Sequence, residues 1–368
     1  MGSSKLISSR ECFCIVLLLQ QGGVFWMLPY FLIKGNGTAG VLALLPGLLL
    51  GAIIITSCAF WNKTCEGYTL FPALTEMLGT FLGKAVGFGF VLFYASFAVS
   101  CLYGFIEVIN GHLLLETPRM VIAIGIFLLV GVLSWHGLED IARTATLCAS
   151  LVLVISLLML MGSKGVFSIE NLLPVRLGEP ESLLIAMRQS FFAYGGLLSL
   201  FMVYPALSRN AHVSKKLMLA MGVSSVAVSL WIILALGVFG QYSTGSMIWL
   251  PLELARMIQL SSFLERTEAL FAILWMVVVV ANGGMLVWCV TEGVHQLFGK
   301  KKNSWLHWGT IALLVGMGMQ TKNVLGLLQL QQKLSMLSLF WIPILLLFVI
   351  VGSLRYRHRQ RREEGLGL

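Results

Sequence analysis

Long apolar runs recur along the whole chain, and they restrict the possible folds more than any other feature of the sequence. The chain is 58% hydrophobic and only 11% charged, which leaves too little polar surface to cover a soluble protein of this length. Runs of about 20 apolar residues match helices that cross a hydrocarbon layer about 30 Å thick. They lack the two-residue alternation of a membrane β-barrel. The sequence therefore predicts an all-α integral membrane protein.

Hydropathy predicts ten membrane-spanning helices in a single transmembrane domain. They cover residues 11–33, 39–60, 84–110, 119–136, 143–162, 183–207, 215–240, 267–297, 304–320 and 337–353, and a basic tail follows at 354–368. The first run lacks a convincing small-x-small cleavage site and leads directly into a second span. We therefore expect an uncleaved membrane helix there and not a secretory signal.

Lysine and arginine are distributed unevenly between the two sets of loops. With the N-terminus in the cytoplasm, 16 of the 25 fall on the cytoplasmic side, eight fall on the other side, and Arg188 lies within the sixth span. The bias places both termini in the cytoplasm. The basic tail either rests against anionic headgroups or is a solvated flank of the last span. In both cases the net charge of +9 belongs to the membrane surface and not to nucleic acid.

A glycine pair interrupts the first span and another interrupts the sixth. Gly22-Gly23 precedes Pro29, and Gly195-Gly196 precedes Pro205. Ten spans divide into five plus five, so the second half must be inverted relative to the first. We expect repeats at about 11–162 and 183–353, because paired Gly/Pro-interrupted spans in such repeats indicate a binding site at the bilayer midplane.

Broken helices can bind a ligand through their own backbone. Two successive glycines weaken the helix, and hydrocarbon does not tolerate the unpaired amides that result. The N–H groups of the half-helix that follows suit a carboxylate, and the opposing carbonyls suit an ammonium group or a cation. A small zwitterion would satisfy both. The alternative is that the glycines only allow close helix packing.

Further site candidates lie in the third, sixth and eighth spans. Tyr94 could offer its hydroxyl to a polar ligand or bond to a neighbouring helix. Asn282 could line the cavity or pair across a helix interface. The complete predicted set of ligand-binding residues is Gly22, Gly23, Val24, Tyr94, Phe192, Tyr194, Gly195, Gly196, Asn282 and Gly283.

Two other features receive a structural interpretation. Glu107 lies near the end of the third span, where it could reach headgroup water, and this position favours a structural role. Leu250, Leu254, Met257 and Ile258 share one helical face between spans seven and eight. This spacing predicts a helix at the membrane interface or packed over the bundle.

The sequence contains no enzymatic signature. It has no phosphate loop, nucleophile elbow or zinc helix. The seven cysteines are scattered and form no cluster with metal-ligand spacing. We therefore expect a protein that is not an enzyme and that has no catalytic residues, cofactor or metal.

Three segments together resemble a known family. The glycine break with "MLP", the "FFAYGG…YP" of the sixth span and "FLERTEALFAILWMVVV" at 263–279 are similar to the B subunits of spore germinant receptors. These belong to the spore permease family of the amino acid–polyamine–organocation superfamily. The resemblance covers nearly the whole chain, and its most specific element is Glu265-Arg266, Glu268-Ala269, Phe271 and Trp275.

The resemblance implies a fold, a location and partners. The fold is the inverted-repeat, leucine-transporter-like fold with broken helices 1 and 6. The location is the spore inner membrane, and the partners are a germinant receptor A subunit and a C-type lipoprotein. Relatives often carry an acidic residue shortly after the glycine of the sixth span, where this chain has Leu197 and Leu198. This departure favours a ligand of different charge or greater apolarity, and it argues against the usual cation coupling.

The leading functional hypothesis is a membrane subunit that binds a small nutrient germinant, such as an amino acid, and helps to trigger spore germination. The alternative is a proton- or sodium-coupled amino acid transporter that uses the same site with alternating access. A third possibility is a membrane scaffold without any small-molecule ligand.

Overall fold

The computed structural model describes residues 7–22, 27–64, 68–175, 178–207, 213–257, 267–299, 302–321 and 323–365. Within these ranges the chain is almost entirely helical, and the isolated bridge between Ile7 and Leu207 is the one β pairing. The α-helices are α1 (Ser9–Gln21), α2 (Leu28–Ile33), α3 (Leu45–Thr64), α4 (Leu70–Leu78), α5 (Thr80–His112), α6 (Arg119–His136), α7 (Leu138–Gly162), α8 (Pro180–Gly195), α9 (Leu200–Val203), α10 (Val213–Thr244), α11 (Leu250–Met257), α12 (Thr267–Leu297), α13 (Ser304–Met319) and α14 (Val324–Gly365).

Eight helical segments within the described residues are long and apolar enough to cross a membrane. They are Gly37–Thr64, Thr80–His112, Arg119–His136, Leu138–Gly165, Pro180–Ala206, Val213–Thr244, Thr267–Leu297 and Val324–Tyr356. Two predicted spans are missing from this set. The first is divided between α1 and α2, and the ninth corresponds to α13, which has only 16 residues. Each of the ten predicted spans therefore has a helical counterpart, and the all-α membrane fold is confirmed.

The predicted bounds agree with the structure to the residue for two spans. The predictions 119–136 and 267–297 coincide with α6 and α12. The tenth span was predicted at 337–353, whereas α14 begins at Val324. The segment "LQLQQK" at 328–333 lowers the hydropathy, but Leu, Gln and Lys are all good helix formers, so the helix extends through it.

The short helix α4 was not predicted. It buries Leu70, Phe71, Ala73 and Leu74 and packs against α5. Its nine residues are too few to give the signal of a membrane span. Gly79 connects α4 to α5 with a φ of 83°, a conformation that glycine adopts without steric cost.

The helix predicted between spans seven and eight is α11. Leu250 and Leu254 are buried on it, as the spacing indicated. Met257, predicted to share this helical face, is 46% exposed. It is the last residue of α11, where the helix leaves the surface that covers the other side chains. Ile258 lies outside the described residues.

The helices differ strongly in how deeply they are buried. α5 and α12 pack along each other in the centre of the bundle and bury most of their side chains. α7 lies at the periphery, where large apolar side chains such as Leu147 and Leu153 are exposed. Such a surface suits contact with lipid tails.

A buried ion pair closes the α5–α6 hairpin. Arg119 Nε lies 2.6 Å from Glu107 Oε1, and the two side chains are only 13% and 8% exposed. The guanidinium group also donates to Thr321 Oγ1 over 2.7 Å and lies over the ring of Tyr103. Glu107 therefore pairs with Arg119, a contact that fits the structural role expected from the sequence.

Two glycines of α5 provide a matched test of its packing. A Cβ at Gly83 would lie 2.5 Å from the backbone oxygen of Leu74 in α4, whereas a Cβ at Gly104 would meet nothing within 4 Å. We expect Gly83→Ala to destabilise the protein by about 1–3 kcal/mol through overpacking. Gly104→Ala should be neutral, or stabilising by up to about 1 kcal/mol. Thermal unfolding of both variants in detergent tests this, and equal midpoints would contradict the close α4–α5 contact.

Candidate functional site

The predicted break in the first span is present between α1 and α2. The α1 ladder ends where Gly22 N donates to Leu18 O over 2.8 Å, and α2 begins at Leu28 with Pro29 in its first turn. The intervening Gly23–Trp26 segment lies outside the described residues. The predicted roles of Gly23 and Val24 therefore remain predictions.

Gly22 lies directly against α12. A Cβ at this position would be 2.6 Å from Asn282 Cβ and 3.0 Å from the carbonyl oxygen of Val278. Only a hydrogen fits between these groups, because real Cβ atoms do not approach other atoms so closely. The end of α1 is therefore held in contact with the middle of α12, which brings two of the predicted site residues, Gly22 and Asn282, next to each other.

Polar atoms without a partner surround this contact. The side chain of Asn282 is fully buried, and neither its Nδ2 nor its Oδ1 has a hydrogen-bond partner among the described residues. Gln21, also fully buried, donates from Nε2 to Ser224 Oγ over 2.9 Å and to Ser224 O over 3.0 Å. Its Oε1 has no partner in the described part of the chain. A buried polar atom that lacked every partner would cost about 1–3 kcal/mol.

The interruption in the sixth span is a change of helix type. Gly195 and Gly196 keep right-handed helical φ and ψ, and the chain tightens into a 3-10 turn at Gly196–Ser199 before α9. α1 contacts this turn.

Tyr94 supports the tightened turn. Its buried hydroxyl donates to Leu198 O over 3.0 Å, and Ser199 Oγ donates to Gly196 O over 2.7 Å. Of the two interpretations of Tyr94, the structure displays the bond to a neighbouring helix. The bonded carbonyl belongs to the turn itself, so Tyr94 positions the wall of the candidate site.

The second glycine pair accommodates aromatic rings. A Cβ at Gly196 would lie 2.9 Å from the ring of Phe97, and a Cβ at Gly195 would lie 2.9 Å from Phe93. The ring centroid of Phe192 is 5.1 Å from that of Phe97. Gly195, Gly196 and Phe192 therefore face α5, where packing accounts for the small residues.

Two predicted residues face away from the contact of Gly22 with Asn282. The hydroxyl of Tyr194 bonds to Ser225 Oγ in α10, and its ring packs against Gly47 in α3. Gly283 packs beneath Leu102 of α5, whose Cδ2 would be 2.5 Å from an added Cβ. Adjacent residues of a helix point in different directions, so Asn282 and Gly283 do not face the same neighbour.

Gln21 lies next to the break, and the sequence analysis assigned no role to it. The available signal was an amide inside an apolar run, because such a group requires a partner within the membrane. Ser224, which accepts its hydrogen bonds, lies in an apolar stretch of α10 where serine alone gives no such signal.

The arrangement of the helices is that of membrane transporters with the leucine-transporter fold. The crystal structure of MhsT in complex with L-phenylalanine aligns with a TM-score of 0.61 at 15% identity, over 94% of this chain and 87% of that chain. The manganese transporter of Eremococcus coleocola, in complex with an aromatic bis-isothiourea substituted compound, aligns with a TM-score of 0.61 at 14% identity, over 94% and 78%. At these identities the likeness defines the fold, that of a multi-pass membrane protein.

The chain belongs to the spore germination protein family, also called the spore permease family, whose model matches residues 6–324. Spore germination protein YndE of Bacillus subtilis (strain 168) is 21% identical over 352 residues, which are 94% of this chain and 96% of that protein. Spore germination protein KB of the same organism is 22% identical over 377 residues, 97% and 98% of the two chains. The predicted family and fold are thereby confirmed. The protein is a germination-related membrane protein or transporter.

Removal of the Tyr94 hydroxyl should weaken the turn in the sixth span. Tyr94→Phe removes one of the two donors to the buried Leu198 carbonyl, the other being Leu200 N–H, and we expect a loss of about 0.5–1.5 kcal/mol. Tyr242→Phe is the control, because Tyr242 is 98% exposed. Chemical or thermal unfolding of both variants in detergent measures the difference. A Tyr94→Phe variant as stable as Tyr242→Phe would show that the hydrogen bond does not support the turn.

Proposed function

We propose that the protein is a membrane subunit of a nutrient germinant receptor, and that it binds a small germinant, an amino acid or similar solute, at the break between α1 and α2. Membership of the spore germination protein family supports a role in germination. The transporter fold supports a solute site within the membrane. The observation that carries the site is the buried amide of Asn282, whose two polar atoms have no partner among the described residues.

The chemistry around this amide matches a zwitterion. Asn282 Nδ2 can donate to a carboxylate, and Asn282 Oδ1 and Gln21 Oε1 can accept from an ammonium group. The carbonyl end of α1 also lies at this point, and its partial negative charge favours a cation. A neighbour of the same fold holds L-phenylalanine, which supports an amino acid as the class of ligand.

Binding at this place can act as a signal because it bridges separate helices. A guest beside Gly22 would contact α1 and α12 and lie close to the Gly196–Ser199 turn. It would shift the bundle between two arrangements only to the extent that it binds one of them more tightly. We propose that an A subunit and a C-type lipoprotein detect this shift in the spore inner membrane, as the resemblance to germinant receptor B subunits implies.

Asn282→Leu tests the site. It removes both polar atoms at similar volume, so the unliganded protein should be as stable as the wild type or more stable. Screening amino acids by thermal shift on purified protein should identify a stabilising ligand, since a ligand at 100 times its Kd adds about 2.7 kcal/mol. The variant should bind that ligand at least about tenfold more weakly. Unchanged affinity would remove Asn282 from the site.

Gly22→Ala tests the same site from α1, and Gly222→Ala is its matched control. An added methyl group at Gly22 meets Asn282 Cβ at 2.6 Å, whereas one at Gly222 in α10 meets nothing within 4 Å. We expect Gly22→Ala to lose the ligand-dependent thermal shift while still inserting into membranes, and Gly222→Ala to keep it. Equal responses of the two variants would contradict a site at the break.

Sensing and transport differ in their consequences for a reconstituted vesicle. A receptor subunit should bind the radiolabelled ligand without concentrating it inside proteoliposomes under an imposed proton or sodium gradient. Leu197 and Leu198, at the position where relatives often carry an acid, support this outcome. Accumulation of the ligand that stops when a protonophore or a sodium ionophore is added would instead show a coupled transporter. Coupled transport is the second candidate function because the chain shares its fold with MhsT.

A further inference from the structure

Arg188 is a cation inside the sixth span. It lies eight residues after Pro180, the first residue of α8, which is about 12 Å along the helix. Charged side chains at such positions are costly, and they usually pair with an opposite charge or mark a pathway for a ligand or ion. Arg188 forms no ion pair with any residue that the structure describes.

The one hydrogen bond that Arg188 forms among the described residues leaves most of its donors free. Its Nε donates to Ser335 Oγ of α14 over 3.0 Å, and Gln189 Nε2 donates to the same oxygen over 3.1 Å. Ser335 in turn donates to Gln332 O over 2.8 Å, so its hydroxyl can only accept from the two side chains of α8. The bond through Nε fixes the guanidinium plane and leaves the two terminal nitrogens available.

Two buried amide atoms without partners accompany this guanidinium group. Gln331 lies one turn before Ser335 on the same face of α14, is 1% exposed, and has no partner for Nε2 in the described part of the chain. Gln189 is fully buried, and its Oε1 is equally without a partner there. Among the described residues, the donors without a partner are therefore the two terminal nitrogens of Arg188 and Gln331 Nε2. The acceptor without a partner is Gln189 Oε1.

We propose that Arg188 and Gln331, positioned by Ser335, form an oxyanion-binding subsite between α8 and α14. A carboxylate or phosphate would supply the missing negative charge. It would accept hydrogen bonds from both terminal nitrogens of Arg188 and from Gln331 Nε2. Arg188 precedes Gly195 by seven residues, about 10 Å along the helix, so this subsite is separate from Asn282. The oxyanion belongs either to a solute that enters the bundle or to a lipid headgroup.

The test uses the purified full-length protein in a neutral detergent free of phospholipid. Sodium acetate is titrated against sodium chloride at equal ionic strength, and the unfolding midpoint is recorded for wild type, Arg188→Gln and Arg188→Lys. Arg256→Gln is the control, because Arg256 is already paired with Glu253 at 3.0 Å. We expect acetate to stabilise the wild type and the control, and to bind Arg188→Gln at least about tenfold more weakly. Arg188→Lys, which keeps the charge and loses the fork, should be intermediate.

Phosphatidylglycerol added to the same samples distinguishes the sources of the oxyanion. If a lipid headgroup occupies the subsite, the lipid itself should stabilise the protein through Arg188 and abolish the acetate effect. If the subsite serves a solute, the acetate effect should persist. The dependence on Arg188 should also persist in an Asn282→Leu background, which separates this proposal from the proposed germinant site. Equal acetate and lipid responses of wild type and Arg188→Gln would overturn it, and so would the absence of any anion effect.

Discussion

In hydrocarbon every backbone N–H and C=O needs a partner, and this constraint determines how the two interrupted helices differ. In the sixth span the chain narrows to a 3-10 turn, and the carbonyl of Leu198 is satisfied by the hydroxyl of Tyr94 from another helix. In the first span the helical ladder stops at Gly22. The first interruption is where we propose that a guest binds, whereas in the second the Leu198 carbonyl already has a donor within the protein.

The two glycine pairs differ in the same way as the two interrupted helices. Gly195 and Gly196 accept the rings of Phe93 and Phe97, and this packing accounts for them without a ligand. Gly22 instead brings α1 against the buried amide of Asn282, whose polar atoms have no partner in the part of the chain that the structure describes. A glycine pair in a membrane helix therefore has two physical meanings, and the neighbour that fills the space of the missing side chain decides between them.

The fold could be predicted from the sequence because apolar runs and glycine–proline interruptions can each be recognised within a short stretch of residues. It located α6 and α12 to the residue. It also identified Gly22 and Asn282 as site candidates. It could not separate Asn282 from Gly283, because the rotation of a helix about its axis depends on its neighbours. Nor could it find the contact of Gln21 with Ser224, which joins residues 203 positions apart.

One consequence follows from the length of α14, which runs without interruption from Val324 to Gly365. It touches α8 at Ser335, and near its other end Gly352 lies against Met77 of α4. These two contacts are about 26 Å apart along a single rod, close to the thickness of the hydrocarbon layer. A displacement of α8 at Ser335 would reach α4 only as far as α14 stays straight, and Pro343, which lacks an amide hydrogen, lies between the two contacts.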